Sequence, residues 1–222
     1  DCGYTMVHRI ATQRTGDIYK AQNVETTGYE SVTRIPSFML RQQIREGGTF
    51  DFTYMNHPGI ARPSNVIQAP DNLLVATDYV EGVDAASLVR KQPLALCTAA
   101  EIVRRTAEAM AWIHAHGQVH GTLSPTSLIL SHDSGGLPAI KICGLAFYQL
   151  ADASFSRYRA PNLQEFNWKM FVPPESANEV NEIQFSGDVF SMGQILLYLL
   201  SSRPNRSFAC GTDWAASCIE EL

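Results

Sequence analysis

The chain has 222 residues, 45% of them hydrophobic and 18% charged, a balance that implies a packed core and excludes a disordered tether. Seventeen Lys and Arg against 22 Asp and Glu leave a formal net charge of -5. With no dense basic stripe, the electrostatic footprint of a nucleic-acid binder is missing. The cysteine count, five, is odd and no C-x-x-C occurs, which argues against a disulfide framework and a zinc site and for a reducing, cytoplasmic setting, with Cys210 and Cys218 left as the alternative pair.

Three runs of alternating character, "YTMVHRIA", "GDIYKAQNV" and "YESVTRI", predict strands within residues 4–35. "PSFMLRQQIRE" predicts a short helix with Pro36 near its start and Gly47–Gly48 as its stop. "HPGIARPSNVIQAPDNLLVATDYVEG" reads as loop, strand, a turn at Pro70–Asn72, and a second strand. Composition shifts at Gly82, so residues 1–80 form a mainly β unit and residues 81–222 a helical one.

In the helical unit, "CTAAEIVRRTAEAMAWIHAHG" carries Ile102, Thr106, Ala109, Met110 and Ile113 as a stripe at helical spacing, ended by Gly117. "TSLIL" and "PAIKICGLA" flank "SHDSGGLP" and predict a hairpin, in which Cys143 reads as buried and inert. Residues 147–174 read as irregular, with Pro161, Pro173 and Pro174. "DVFSMGQILLYLLSS" predicts a buried helix, being too short to span a bilayer unaided. A last short helix, "DWAASCIEEL", has Trp214 and Ile219 as anchors.

Several spaced motifs follow one another in a recognisable order. "DYVEG" looks like a hinge, "HGTLSPTSLIL" like a catalytic loop, "VPPES" like the A-P-E element, and "GDVFSMGQILLYLLSSRP" like the buried helix that follows it. From about Tyr4 to about Phe208 the chain resembles a protein kinase domain, in the manner of bacterial eukaryotic-like Ser/Thr kinases. The resemblance implies an α+β, bilobal protein kinase-like fold, with a small β-rich N-lobe at 1–80 and a helical C-lobe at 81–222 that is truncated after the central buried helix.

The same resemblance marks where the chemistry of phosphoryl transfer should sit. In the H-R-D-L-x-x-x-N frame of the catalytic loop, His120 and Leu123 are kept. Thr122 takes the place of the catalytic Asp, Ser124 that of the Lys, and Ser127 that of the metal-binding Asn. A hydroxyl is no base near neutral pH and a poor ligand for Mg²⁺. The metal-binding Asp of D-F-G falls at Gly144 if Gly144, Leu145 and Ala146 fill the triplet. Shifting the frame so that Gly144 is the family Gly also leaves no Asp.

In the Gly-rich loop Ala11 and Gln13 replace two glycines and Gly16 remains. Counting places the family Lys at Arg34 and its helix partner at Gly48, with Glu46 two residues away as a substitute. Arg34 then has two readings, a salt bridge to Glu46 or solvent exposure on one side and contact with a nucleotide on the other. Gly16, Arg34, Asp78 and Val80 are what is left of a nucleotide cleft. Asp188 reads as a backbone anchor for the His120 loop or as a borrowed metal ligand, and its helix-start position favours the anchor.

These losses predict a pseudokinase, a kinase-like domain without phosphotransfer that acts as a protein-binding, scaffolding or regulatory module. No cofactor is expected beyond weak binding of ATP without Mg²⁺. A protein partner or larger assembly is expected, with no nucleic acid and no membrane span. The alternatives are a metal-independent nucleotide-sensing module and a noncanonical phosphotransferase using displaced carboxylates such as Asp133 or Asp152. Glu175 needs a cationic partner, for which Arg203 or Arg206 would have to serve. The short tail after the buried helix predicts a fragment of a longer protein or a chain covered by a partner.

Overall fold

The computed structural model describes residues 3–13, 16–48, 52, 55–90, 92–132, 138–145, 147–150, 168–174 and 184–201. The three N-terminal runs form β1 (Tyr4–Gln13), β2 (Gly16–Asn23) and β3 (Tyr29–Pro36). The next two strands are β4 (Pro63–Gln68) and β5 (Asn72–Asp78). All pair antiparallel in the order β1-β2-β3-β5-β4. The turn expected at Pro70–Asn72 is closed by the Ala69 N–H on the Asn72 carbonyl at 2.8 Å.

The helix expected after Pro36 is broken into two pieces. A 3-10 turn spans Ser37–Met39, and α1 spans only Gln42–Arg45. Leu40 and Arg41 are extended between them, and Gly47, at φ +91°, ends the second piece in the left-handed region that glycine tolerates. Leu40 is fully buried, and its extended backbone lets it enter the core beside Met39. Packing overrides helical propensity here.

The C-lobe opens with β6 (Val83–Asp84) and α2 (Ala85–Leu88), two elements the sequence did not suggest. Asp84 caps α2 by accepting from the Ser87 N–H at 2.8 Å. Then comes α3 (Leu96–Ala115), whose stripe Ile102, Thr106, Ala109, Met110 and Ile113 is buried as the periodicity demands. Each fully buried large side chain of such a stripe contributes roughly 1.5–3 kcal/mol. Gly117, at φ +72°, terminates this helix region.

The hairpin is β7 (Leu128–His132) and β8 (Pro138–Ile142), with β6 added to make a three-stranded sheet. After it α4 spans Phe147–Leu150, and α5 (Phe185–Ser201) packs on α3. One core cluster joins α3, α5 and the hairpin through Met110, Ile113, Leu128, Ile142, Ile195 and Leu199. A second lies under the N-lobe sheet and includes Ile35, Leu40, Val75, Phe147 and Leu150.

The lobes are also tied by backbone hydrogen bonds. Ala61 N–H donates to the Ile142 carbonyl at 2.9 Å, and Ile142 N–H donates to the Gly59 carbonyl at 2.8 Å. The molecule has the bilobal α+β architecture expected of it. Among the described residues no helix is long and apolar enough to cross a membrane. Asp133, Asp152, Glu175, Arg203, Arg206, Cys210, Cys218 and the tail helix lie outside the described residues.

Candidate functional site

The loop 120–127 hangs from a single buried carboxylate. Asp188, in the first turn of α5 and fully buried, accepts the His120 N–H and the Gly121 N–H, each at 2.9 Å. It also accepts from His114 Nε2 at 2.9 Å. All the donors found on Asp188 belong to the scaffold, so the anchor reading describes its geometry.

His120 is fully buried, and burial holds its pKa below the ordinary value against the opposing charge of Asp188. Its Nδ1 accepts the Thr122 N–H at 3.3 Å, so its Nε2–H is the donor to the Cys143 carbonyl at 3.0 Å. The neutral imidazole therefore stitches the loop to the end of β8. A second stitch runs from the Cys143 N–H to the Ser127 carbonyl at 2.8 Å. Cys143 keeps partial surface exposure, yet burial of its thiol pushes the pKa up to about 12, which leaves it an inert thiol.

These stitches gather the four replaced positions. Thr122 Oγ1 lies 3.3 Å from His120 Nδ1. Ser124 Oγ bonds Thr126 Oγ1 at 2.9 Å and Ser127 Oγ at 3.3 Å. Ser127 Oγ reaches back to the Thr122 carbonyl at 3.5 Å. Gly144 follows in a left-handed turn at φ +85°, with no side chain to offer. The centre is thus a cluster of hydroxyls bonded to one another, and no carboxylate is among their hydrogen-bond partners in the described residues. Mg²⁺ takes carboxylate and phosphate oxygens in near-octahedral geometry, so this donor set does not fit it. Thr126, a member of the cluster, was not singled out by motif matching because its position in the frame is variable.

The N-lobe half of the cleft is decided by strand parity. Ile18 pairs with Thr33, and Thr33 with Val75. Alternation then puts Thr33, Ile35, Val75 and Thr77 on one face. That face looks toward the C-lobe segment, because Ile35 packs with Phe147 and Leu150 from the segment after Gly144. The Leu150 carbonyl also accepts the Arg41 N–H at 2.9 Å.

Arg34 lies on the opposite face. It pairs with Asp17 at 3.0 Å, and its side chain is 47% exposed. Of the readings counting allowed, solvent exposure agrees with this register, and the Glu46 salt bridge and the cleft placement do not. Ile35, apolar and fully buried, takes the cleft-facing position, and Glu46 accepts from Gln42 Nε2 at 2.8 Å instead. A one-residue slip reverses every side chain of a strand, which is why counting alone failed.

Gly16 is needed for packing. A Cβ there would sit 2.0 Å from the Arg34 carbonyl oxygen, so β2 and β3 close only over a glycine. Ala11 and Gln13 extend β1 past a register shift between Arg9 and Ala11, opposite Ile18 and Gly16. At the hinge, the Asp78 side chain belongs to the face away from the cleft, and its N–H donates to the Arg62 carbonyl at 3.1 Å. The Lys20 ammonium lies 4.3 Å from the ring centroids of both Tyr29 and Tyr79. This cation–π sandwich sets a fixed positive charge at the hinge end of the sheet.

Residues 3–214 match the family described as the protein kinase domain. The serine/threonine-protein kinase PkaA of Streptomyces coelicolor is 26% identical over 222 aligned residues, covering 90% of this chain and 39% of the relative. The serine/threonine-protein kinase PknI of Mycobacterium tuberculosis is 25% identical over 72% of this chain and 28% of its own length. The chain thus spans well under half the length of these curated relatives. Among solved structures, a double mutant of the M. tuberculosis PknI kinase domain superposes with a TM-score of 0.66 at 17% identity, covering 92% of this chain and 77% of that one.

Proposed function

The chain belongs to the protein kinase domain family, and from that premise we propose that it is a pseudokinase: a kinase-fold module that binds a protein partner and does not transfer phosphate. The observation that carries this reading is the hydroxyl cluster of Thr122, Ser124 and Ser127 facing a side-chain-free Gly144. Phosphoryl transfer relies on metal ions to neutralise developing charge and on a carboxylate to orient the attacking hydroxyl. A threonine hydroxyl bonded to a neutral imidazole supplies neither. The apolar Ile35 adds a third loss, because no cation on that strand faces the cleft. With the carboxylates and the β3 cation missing at these positions, binding a partner is the use this reading leaves to the domain.

The test is a radiolabel transfer assay on generic protein substrates, with and without Mg²⁺ or Mn²⁺. No turnover above background is expected. Turnover that disappears on Thr122→Ala or Ser127→Ala would overturn the proposal. A second reading is favoured by the hinge backbone and by Lys20, namely metal-independent nucleotide binding. Under that reading ATP raises the melting temperature equally with Mg²⁺ and with EDTA, and a shift seen only with Mg²⁺ would count against both readings.

A further inference from the structure

Behind the hinge, on the side away from the nucleotide cleft, lies a pocket of about 330 Å³ lined by Asn56, His57, Ile60, Arg62, Asp78 and Lys141. We propose that this pocket binds a small oxyanion group, a phosphate or a carboxylate, between Arg62 and Lys141.

The lining is polar and unusually cationic for an acidic chain. Arg62 and Lys141 make no ion pair among the described residues. Surface cations beside carboxylates elsewhere on this molecule do pair: Arg34 takes Asp17, and Arg104 and Arg105 take Glu101. Here Asp78 is at hand, yet its carboxylate accepts the backbone N–H of Arg62 at 3.3 Å and neither side-chain cation. Two positive charges without ion pairs and one carboxylate line one concavity, a formal excess of one positive charge.

The loop that forms one wall is tied to β8 by backbone pairing. Ile60 forms a parallel bridge with Ile142 at the floor, and the two backbone hydrogen bonds between residues 59–61 and Ile142 fix the loop against β8. His57 is held by its own turn, accepting the Gly59 N–H on Nδ1 at 3.0 Å. Its ring lies tilted against Trp112 with centroids 5.6 Å apart, and Trp112 in turn lies tilted against His116 at 4.6 Å. Burial keeps the His57 pKa low, so this imidazole offers an uncharged edge beside the two cations. Guanidinium and ammonium donors in one preformed concavity suit a tetrahedral or planar oxyanion. The site is on the opposite face of the sheet from Ile35 and Thr77, so it stands whether or not the domain transfers phosphate.

The probes are inorganic phosphate and citrate, titrated into the whole chain at constant ionic strength and followed by calorimetry and by backbone amide shifts of Asn56–Arg62. Millimolar or tighter affinity is expected, with the shifts confined to that loop and to residues near Lys141. Arg62→Gln with Lys141→Gln should weaken binding about tenfold or more, while Asp78→Asn should strengthen it severalfold by removing the one repelling charge. All three positions keep surface exposure, so the variants should fold, and far-ultraviolet circular dichroism checks that they do. A phosphoserine peptide, compared with its unphosphorylated form, separates the sources. Binding at least about tenfold tighter than free phosphate identifies a group borne by a protein, and equal binding identifies a free ion. No saturable binding, or binding that Arg62→Gln with Lys141→Gln leaves unchanged, would overturn the proposal.

Discussion

Replacing Asp188 by alanine removes the acceptor for three donors at once: the His120 and Gly121 N–H groups and His114 Nε2. His120 is fully buried, so water cannot repair its loss without opening the loop. Each buried donor left without an acceptor costs about 1–3 kcal/mol. The two backbone groups together give about 2–6 kcal/mol, and the cost usual for breaking a buried charged contact, about 3–5 kcal/mol, lies within that range and is the value expected for Asp188→Ala. A domain of ordinary stability has only about 5–15 kcal/mol in total. With a urea slope of about 2 kcal/mol/M, the midpoint should fall by about 1.5–2.5 M at unchanged slope.

Asp188→Asn keeps one carbonyl oxygen for one donor and should fall between alanine and wild type. Val189→Ala, one residue along at a 57% exposed site, is the control and should move the midpoint little. The reasoning fails if Asp188→Ala shifts the midpoint by less than about 0.5 M. It also fails if the His120 and Gly121 amides keep their protection from hydrogen exchange in that variant.

The parity of β3 is tested by a pair of substitutions: Ile35→Ala should cost about 2–5 kcal/mol as a buried large-to-small change, and Arg34→Ala less than about 1 kcal/mol as loss of an exposed pair. Equal costs in urea unfolding would refute the assignment of faces. His120 has a folded pKa depressed by burial, so its stabilising contribution is fully present above the unfolded value of about 6.5 and is lost as pH falls below it toward the folded value. Stability should therefore drop between pH 7.5 and pH 5, and His120→Asn, less stable at pH 7.5, should show a flatter profile over the same window. A wild-type profile flat across that window would remove the argument that the imidazole is buried neutral.

Much of this architecture is legible along the chain, because the signals involved are local or strongly periodic. The stripe from Ile102 to Ile113 could bury only as one face of a helix, and the three N-terminal alternating runs emerged as β1, β2 and β3. The motif order in residues 120–127 and 187–193 pointed to the loop and its anchor, since a helix-start carboxylate satisfies backbone donors wherever it is buried. The bare chemistry of the loop, hydroxyls and a glycine in charged positions, needed no coordinates either.

What only the tertiary structure decided depends on register and on approach between distant segments. In "SVTRIP" the alternation is blurred, because Thr33 is buried and polar while Ile35 follows Arg34 directly, so counting could not choose a face. The pairing of β2 with β3 made the choice, joining Arg34 to Asp17 across 17 residues of sequence. The helix after Pro36 gave way to two fragments, since burying Leu40 outweighed the one turn lost. The pocket behind the hinge brings residues 56–62, Asp78 and Lys141 together only because the 59–61 backbone bonds to β8. Hydrogen bonds between segments some 80 residues apart leave no trace in local composition, and the site they build becomes visible only once the chain has folded.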